Sequence, residues 1–341
     1  LMVIDDEADQ ASVDANYIKN IKKGKSAKGN ETQTNKEIIN LLEKFKKSTY
    51  VGYTATPYAN CFIDPNYDNL YPRNFIHFLP KPEKYFGAEE IFGDDELKAA
   101  YVVTDGVGTK ADALDLLDKD ELPESLNIAL YSFLVSLAIR VLRVEGQHAM
   151  SMLIHIDHRK ESQKDIYELV DKFFSVIKIN IKKKTAATRK LKDSLKKVYE
   201  QIVFSGEIIN YKAGLKREFF DFDQVLEVLI NEINSIEIKQ VHSDSEDEIN
   251  YLENPGLRVI AVGGNKLSRG LTLEGLMCTY FLRGTEYADT LMQMGRFFGY
   301  RGDYQDLMKI YTHNKIVENF EYMIGLESDL RAEVERYIDE D

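Results

Sequence analysis

Four carboxylates crowd positions 5 to 9: Asp5, Asp6, Glu7 and Asp9 follow directly on the apolar run Leu1, Met2, Val3, Ile4. A continuous apolar run predicts a buried strand of a parallel sheet. Open α/β sheets bind their ligands at the carboxyl ends of such strands. In that place Asp6 suits a magnesium ion, and Glu7 suits the orientation or deprotonation of an attacking water. An acidic helix start accounts for one or two of these carboxylates but not for four. A second stretch able to do chemistry lies near the far end. The β-type run LRVIAV at 257–262 opens into Gly263 and Gly264, with Arg269 and Gly270 close behind. Gln293, Gly295, Arg296, Gly299 and Arg301 follow on a helix-like segment. Glycines let the backbone approach a ligand and arginines grip phosphate oxygens, so the pattern suits phosphate recognition.

The elements that must position these groups follow from periodicity. Residues 13–36 are polar and read as a long loop, whereas Ile38, Leu41, Leu42 and Phe45 have helical spacing. TYVGYTATP at 49–57 predicts a short strand ending at Pro57, with Thr54 and Thr56 at its end. From 61 to about 125 the sequence is irregular, with short strands predicted at PRNFIHFLP (72–80) and YVVTD (101–105). A long apolar helix is predicted at 124–143, a buried strand at MLIHI (152–156) and a helix after it. Residues 176–235 read as a helical insertion. Strands are then predicted at IEIKQV, LRVIAV, LMCTYFLR and LMKIYTH, the last closing the sheet. ADTLMQMGRFFGY (288–300) reads as a helix, and so does the charged C-terminal segment.

Together the chemical stretches resemble the nucleotide-binding motifs of the superfamily-two helicases and translocases. DDEAD at 5–9 is similar to motif two, YTATPYAN at 53–60 to motif three, LSRGLTLEG at 267–275 to motif five and QMGRFFGYR at 293–301 to motif six. The wording around them resembles the Z-one domain family, a provisional endonuclease family associated with bacterial restriction or defence against foreign DNA.

The resemblance implies an α/β fold of two RecA-like parallel-sheet domains. The first occupies 1–62 and is truncated at its N-terminus. Residues 63–123 form an insertion and the crossing between domains, and 124–341 form the second domain, with its helical insertion at about 176–235. It further implies DNA-dependent ATP hydrolysis with ATP and Mg2+ as cofactors. Asp6 would bind the metal, Glu7 would position water, and Arg296, with Arg301 as its substitute, would stabilise the transferred phosphoryl group. Asp9, Thr54, Thr56, Gly264, Arg269, Gly270 and Gln293 would contact the nucleotide or couple its hydrolysis to domain motion. His158 and Arg159 match in place a helicase motif that touches the DNA backbone.

No G-x-x-x-x-G-K-[ST] loop occurs. GKSAKGN at 24–30 lacks its first glycine and reads as a surface loop. The chain therefore reads as the downstream part of a longer polypeptide, whose upstream part is an expected partner beside DNA and restriction or defence proteins. A metal-dependent endonuclease and an inactive helicase-like scaffold are the alternatives.

Composition limits the classes further. The net charge of −13 opposes a protein that simply coats DNA, although a local basic groove can act under a negative total. Such a local candidate is 178–197, with nine basic residues against Asp193 alone; the plainer reading of the same residues is the solvated face of a long helix. The longest uncharged apolar stretch, 128–139, falls short of a membrane span, and a cytoplasmic location is expected. Cys61 and Cys278 read as small core hydrophobes.

Overall fold

The computed structural model describes the chain except residues 11, 15–30, 62, 64–69, 145–146, 242–248, 264–271, 285–287, 303 and 340–341. It is an α/β protein with two parallel sheets flanked by helices. The chain divides into two compact units, one of Leu1–Pro80 with Glu333–Asp341 and one of Lys81–Ala332.

In the first unit β1 (Met2–Asp6) and β2 (Thr49–Tyr53) pair in parallel, Met2 opposite Thr49 and Asp6 opposite Tyr53. A parallel pair needs a crossover, and α1 (Gln33–Glu43) lies within it. A one-turn helix, α2 (Tyr58–Cys61), follows β2. The strand at Leu1–Ile4 is where its composition puts it, but it is not buried. Met2 and Ile4 are 63% and 62% exposed, because the described part of this unit leaves that face of the two-stranded sheet uncovered.

The second unit opens with α3 (Ala88–Phe92), α4 (Asp95–Tyr101), β3 (Val102–Val103) and α5 (Lys110–Leu117). Then come α6 (Glu124–Arg143), β4 (Met150–His155), α7 (Lys160–Asn180), α8 (Ala186–Lys212) and α9 (Phe222–Glu232). The chain continues through β5 (Ile236–Val241), β6 (Arg258–Gly263), β7 (Leu276–Phe281), α10 (Ala288–Met294), β8 (Lys309–Thr312) and α11 (Asn314–Asp339). All six strands are parallel, in the order β3-β8-β7-β4-β6-β5. Every residue of β4, β7 and β8 is buried, as continuous apolar runs in a parallel sheet require.

Three elements differ from the expectation, each for a physical reason. PRNFIHFLP forms no strand: Pro72 and Pro80 bracket it, and it joins neither sheet. LMKIYTH supplies the last strand of the chain but not the edge of the sheet, since Val102 and Val103 pair outside it with Ile310 and Tyr311. Residues 178–197 are not one helix but the end of α7, a turn, and the start of α8, which Thr185 caps.

Helix α6 is long and apolar enough to cross a membrane, yet here it packs against α8, α9, β7 and β8. Its serines explain the arrangement. Ser125, Ser132 and Ser136 recur on one face and meet Tyr280 Oη (2.8 Å), Tyr311 Oη (2.5 Å) and the Leu307 carbonyl (3.0 Å). Buried hydroxyls are tolerated because each has a partner.

Candidate functional site

The acidic stretch of the first unit divides into an exposed pair and a locked remainder. β1 ends at Asp6, and Glu7 turns the chain with φ 57°, a left-handed conformation that a non-glycine residue adopts at a cost. The turn is held by the Ala8 N–H on the Tyr53 carbonyl (3.0 Å) and the Gln10 N–H on the Glu7 carbonyl (3.1 Å). Asp6 Oδ1 accepts the Glu7 N–H at 3.1 Å, and Gln10 Nε2 donates to Glu7 Oε2 at 2.7 Å. Asp6 and Glu7 both face solvent.

Their neighbours do not. Asp9 is buried, and its two oxygens accept from Thr54 Oγ1 and Thr56 Oγ1, each at 2.8 Å. The Thr56 N–H donates back to Thr54 Oγ1 at 2.9 Å. The structure therefore ties Asp9 to Thr54 and Thr56 through their side chains. Asp5 accepts from Tyr50 Oη at 2.5 Å, and burial, reinforced by that carboxylate, pushes the Tyr50 phenol well above its usual range.

In the second unit Gln293, Arg296 and Arg301 line one cavity of about 520 Å³ with Glu274, Tyr85 and Tyr300. α10 stops at Met294, short of the helix expected to reach Tyr300, because Gly295 and Gly299 carry a turn instead. The Phe298 N–H bonds the Gly295 carbonyl at 3.0 Å. Gly299, at φ 134°, exchanges both backbone bonds with Phe86, at 2.8 and 2.9 Å.

Arg301 is the brace of that turn. It is 8% exposed and donates to the carbonyls of Arg296 and Phe298 and to Tyr304 Oη, each at 2.9 Å. Its guanidinium is thus committed to the backbone that carries Arg296. Gln293 and Arg296 are half-buried on the cavity wall. Gly264, Arg269 and Gly270 lie outside the described residues, as does GKSAKGN at 24–30.

A further cluster sits at the carboxyl end of β4. Asp157, fully buried, accepts from Lys110 Nζ (2.7 Å), Arg159 Nε (2.6 Å) and the His158 N–H (2.8 Å). Burial opposes its ionisation, but these donors prevail and hold the carboxyl well below the usual range. His155 is buried, and burial together with the Arg283 charge lowers it to about 3. Its neutral ring therefore faces Arg283 Nη1 at 3.3 Å. Sequence motifs pointed to His158 and Arg159 but not to Asp157, Lys110 or Arg283. A carboxylate directly after a buried strand was the available signal, and Lys110 lies 47 positions away.

Among the described residues no group of three or more His, Cys, Asp or Glu side chains is placed to hold a metal ion. A family model described as the Z1 domain matches residues 125–341. No curated protein and no solved structure gives a significant match.

Proposed function

Since the chain belongs to the Z1 (Z-one) domain family, we propose that it is the motor part of a DNA-acting ATP hydrolase built from RecA-like units. The observation that carries this reading is the separation within DDEAD. Asp9 is locked to Thr54 and Thr56, whereas Asp6 and strained Glu7 are held in solvent at the carboxyl end of a parallel strand. Backbone strain of this kind concentrates at functional sites.

Magnesium is commonly held by one or two carboxylates together with substrate phosphates. Asp6 fits that demand, with Oδ1 steadied by a backbone N–H and Oδ2 without a partner among the described residues. Bound Mg2+ would supply charge neutralisation on the phosphates of ATP. Glu7, oriented by Gln10, accepts the proton of an attacking water or aligns it. Within the second unit, Arg296 on the cavity wall is a candidate for phosphate contact, with Arg301 keeping its turn in shape. The Asp9–Thr54–Thr56 link gives a route by which a change at the acidic turn reaches the end of β2.

The test is DNA-stimulated ATP hydrolysis by the protein in its full natural length. Glu7→Gln should lower turnover at least about 100-fold, the scale of a lost general base, while ATP binding persists. Unchanged hydrolysis refutes the assignment. DNA cleavage that needs a divalent metal but no ATP would replace it with the endonuclease reading, and ATPase at background in the intact protein with the scaffold reading.

A further inference from the structure

The turn joining α7 to α8 and the first three turns of α8 concentrate charge of one sign. Lys182, Lys183, Lys184, Arg189, Lys190, Lys196 and Lys197 are exposed and Lys192 is half-buried, with Asp193 the one acidic residue among them. Among the described residues no ion pair engages any of these eight cations. Several cations elsewhere are matched. Lys98 bridges Asp95 and Glu321, Lys212 bridges Asp94 and Glu96, and Lys110 and Arg159 share Asp157. The whole chain, moreover, carries a net charge of −13.

Helix stability does not explain the cluster. α8 has no acidic residue in its first turn, and cations in the opening turns of a helix oppose its dipole. Nor does packing, because the apolar side of the segment (Leu195, Val198) is already buried. Two pairs, Arg189 with Lys196 and Lys190 with Lys197, stand two turns apart, forming charged stripes along the helix.

We propose that this surface docks the phosphodiester backbone of nucleic acid. Clustered lysines and arginines free of intramolecular carboxylates are what sequence-independent phosphate contact requires. An anionic membrane surface fits less well, since interfacial helices add an apolar face to the basic one. No large hydrophobic side chain is exposed between Lys182 and Lys197. The surface shares no residue with the proposed nucleotide site, so it can be tested without ATP and stands or falls separately from that reading.

The experiment is anisotropy of labelled single-stranded and duplex oligonucleotides titrated with the 341-residue chain over a range of salt. A charge-reversed variant, Lys183→Glu/Lys184→Glu/Lys190→Glu/Lys197→Glu, should bind at least about ten-fold more weakly. Its log–log salt slope should be shallower by roughly three to four, at about 0.9 for each phosphate no longer neutralised. A control reverses scattered lysines (Lys119, Lys164, Lys172 and Lys315), imposing the same change in net charge, and should retain most of the affinity. Melting temperatures establish that both variants fold. No binding by the parent chain, equal weakening in both variants, or binding to phosphatidylserine vesicles in preference to oligonucleotides would each overturn the proposal.

Discussion

Lys309 lies on strand β8, opposite Cys278 of β7, and is only 6% exposed. Its ammonium donates to the Ala100 carbonyl and to Ser205 Oγ, and among the described residues no carboxylate pairs with it. Burial lowers its pKa from the ordinary 10.5 to about 7, slightly offset by Cys278. Between those two values the unfolded chain holds a proton that the folded chain has released. The unfolded state therefore binds more protons, and stability rises with pH through that window. From the two pKa values, Lys309 disfavours folding by about 4 kcal/mol at pH 7 and about 2 kcal/mol at pH 9.

Lys309→Met keeps the length and removes the titration. The stability difference, wild type minus variant, should thus shift by about 2 kcal/mol in favour of wild type between pH 7 and pH 9. Cys278 acts in the opposite direction. Burial raises its thiol far above 9.0, so its contribution is full below the unfolded thiol's pKa and declines as pH passes it. That term is present in both proteins and largely cancels. Urea unfolding at several pH values, followed by circular dichroism and tyrosine emission, measures the difference; the chain has no tryptophan. If the difference stays flat, Lys309 is not a buried, largely desolvated amine and the reasoning is wrong.

Two further predictions concern the frame of the cavity. Gly275 has φ +62°, and a Cβ there would stand 1.7 Å from the Ala149 carbonyl oxygen. Gly275→Ala should destabilise the second unit by more than about 3 kcal/mol. Gly106→Ala, also at positive φ but with nothing within 4 Å, should cost only about 1 kcal/mol; equal melting temperatures would contradict this. Arg301→Gln removes three short contacts to the turn around Arg296 and should lower stability by at least about 2 kcal/mol in urea unfolding. A change under about 0.5 kcal/mol, the range of ordinary surface substitutions, would mean that Arg301 does not brace the turn.

The sheet of the second unit was legible because burial on both faces leaves a plain signature. MLIHI, LRVIAV and LMCTYF are runs in which nearly every side chain is apolar, and all three are central strands. The same signature misled at Met2 and Ile4, where composition matches a covered strand but exposure does not. β3 was also legible, as the short strand expected at YVVTD (101–105), but the structure keeps only Val102 and Val103 of it, the two residues that find partners in Ile310 and Tyr311. For the candidate site, residue type was readable and commitment was not. DDEAD offers four carboxylates, and no spacing rule tells that Asp9 is claimed by two threonines some 45 positions on. Arg296 and Arg301 are likewise equivalent in sequence and both line the cavity, yet Arg301 is buried and held by three backbone carbonyls whereas Arg296 is half-buried. The distinction is one of desolvation. A polar group taken into the fold must find its partners there, as Asp9 and Arg301 do, whereas Asp6 and Glu7 keep the solvent contact that binding a ligand would displace.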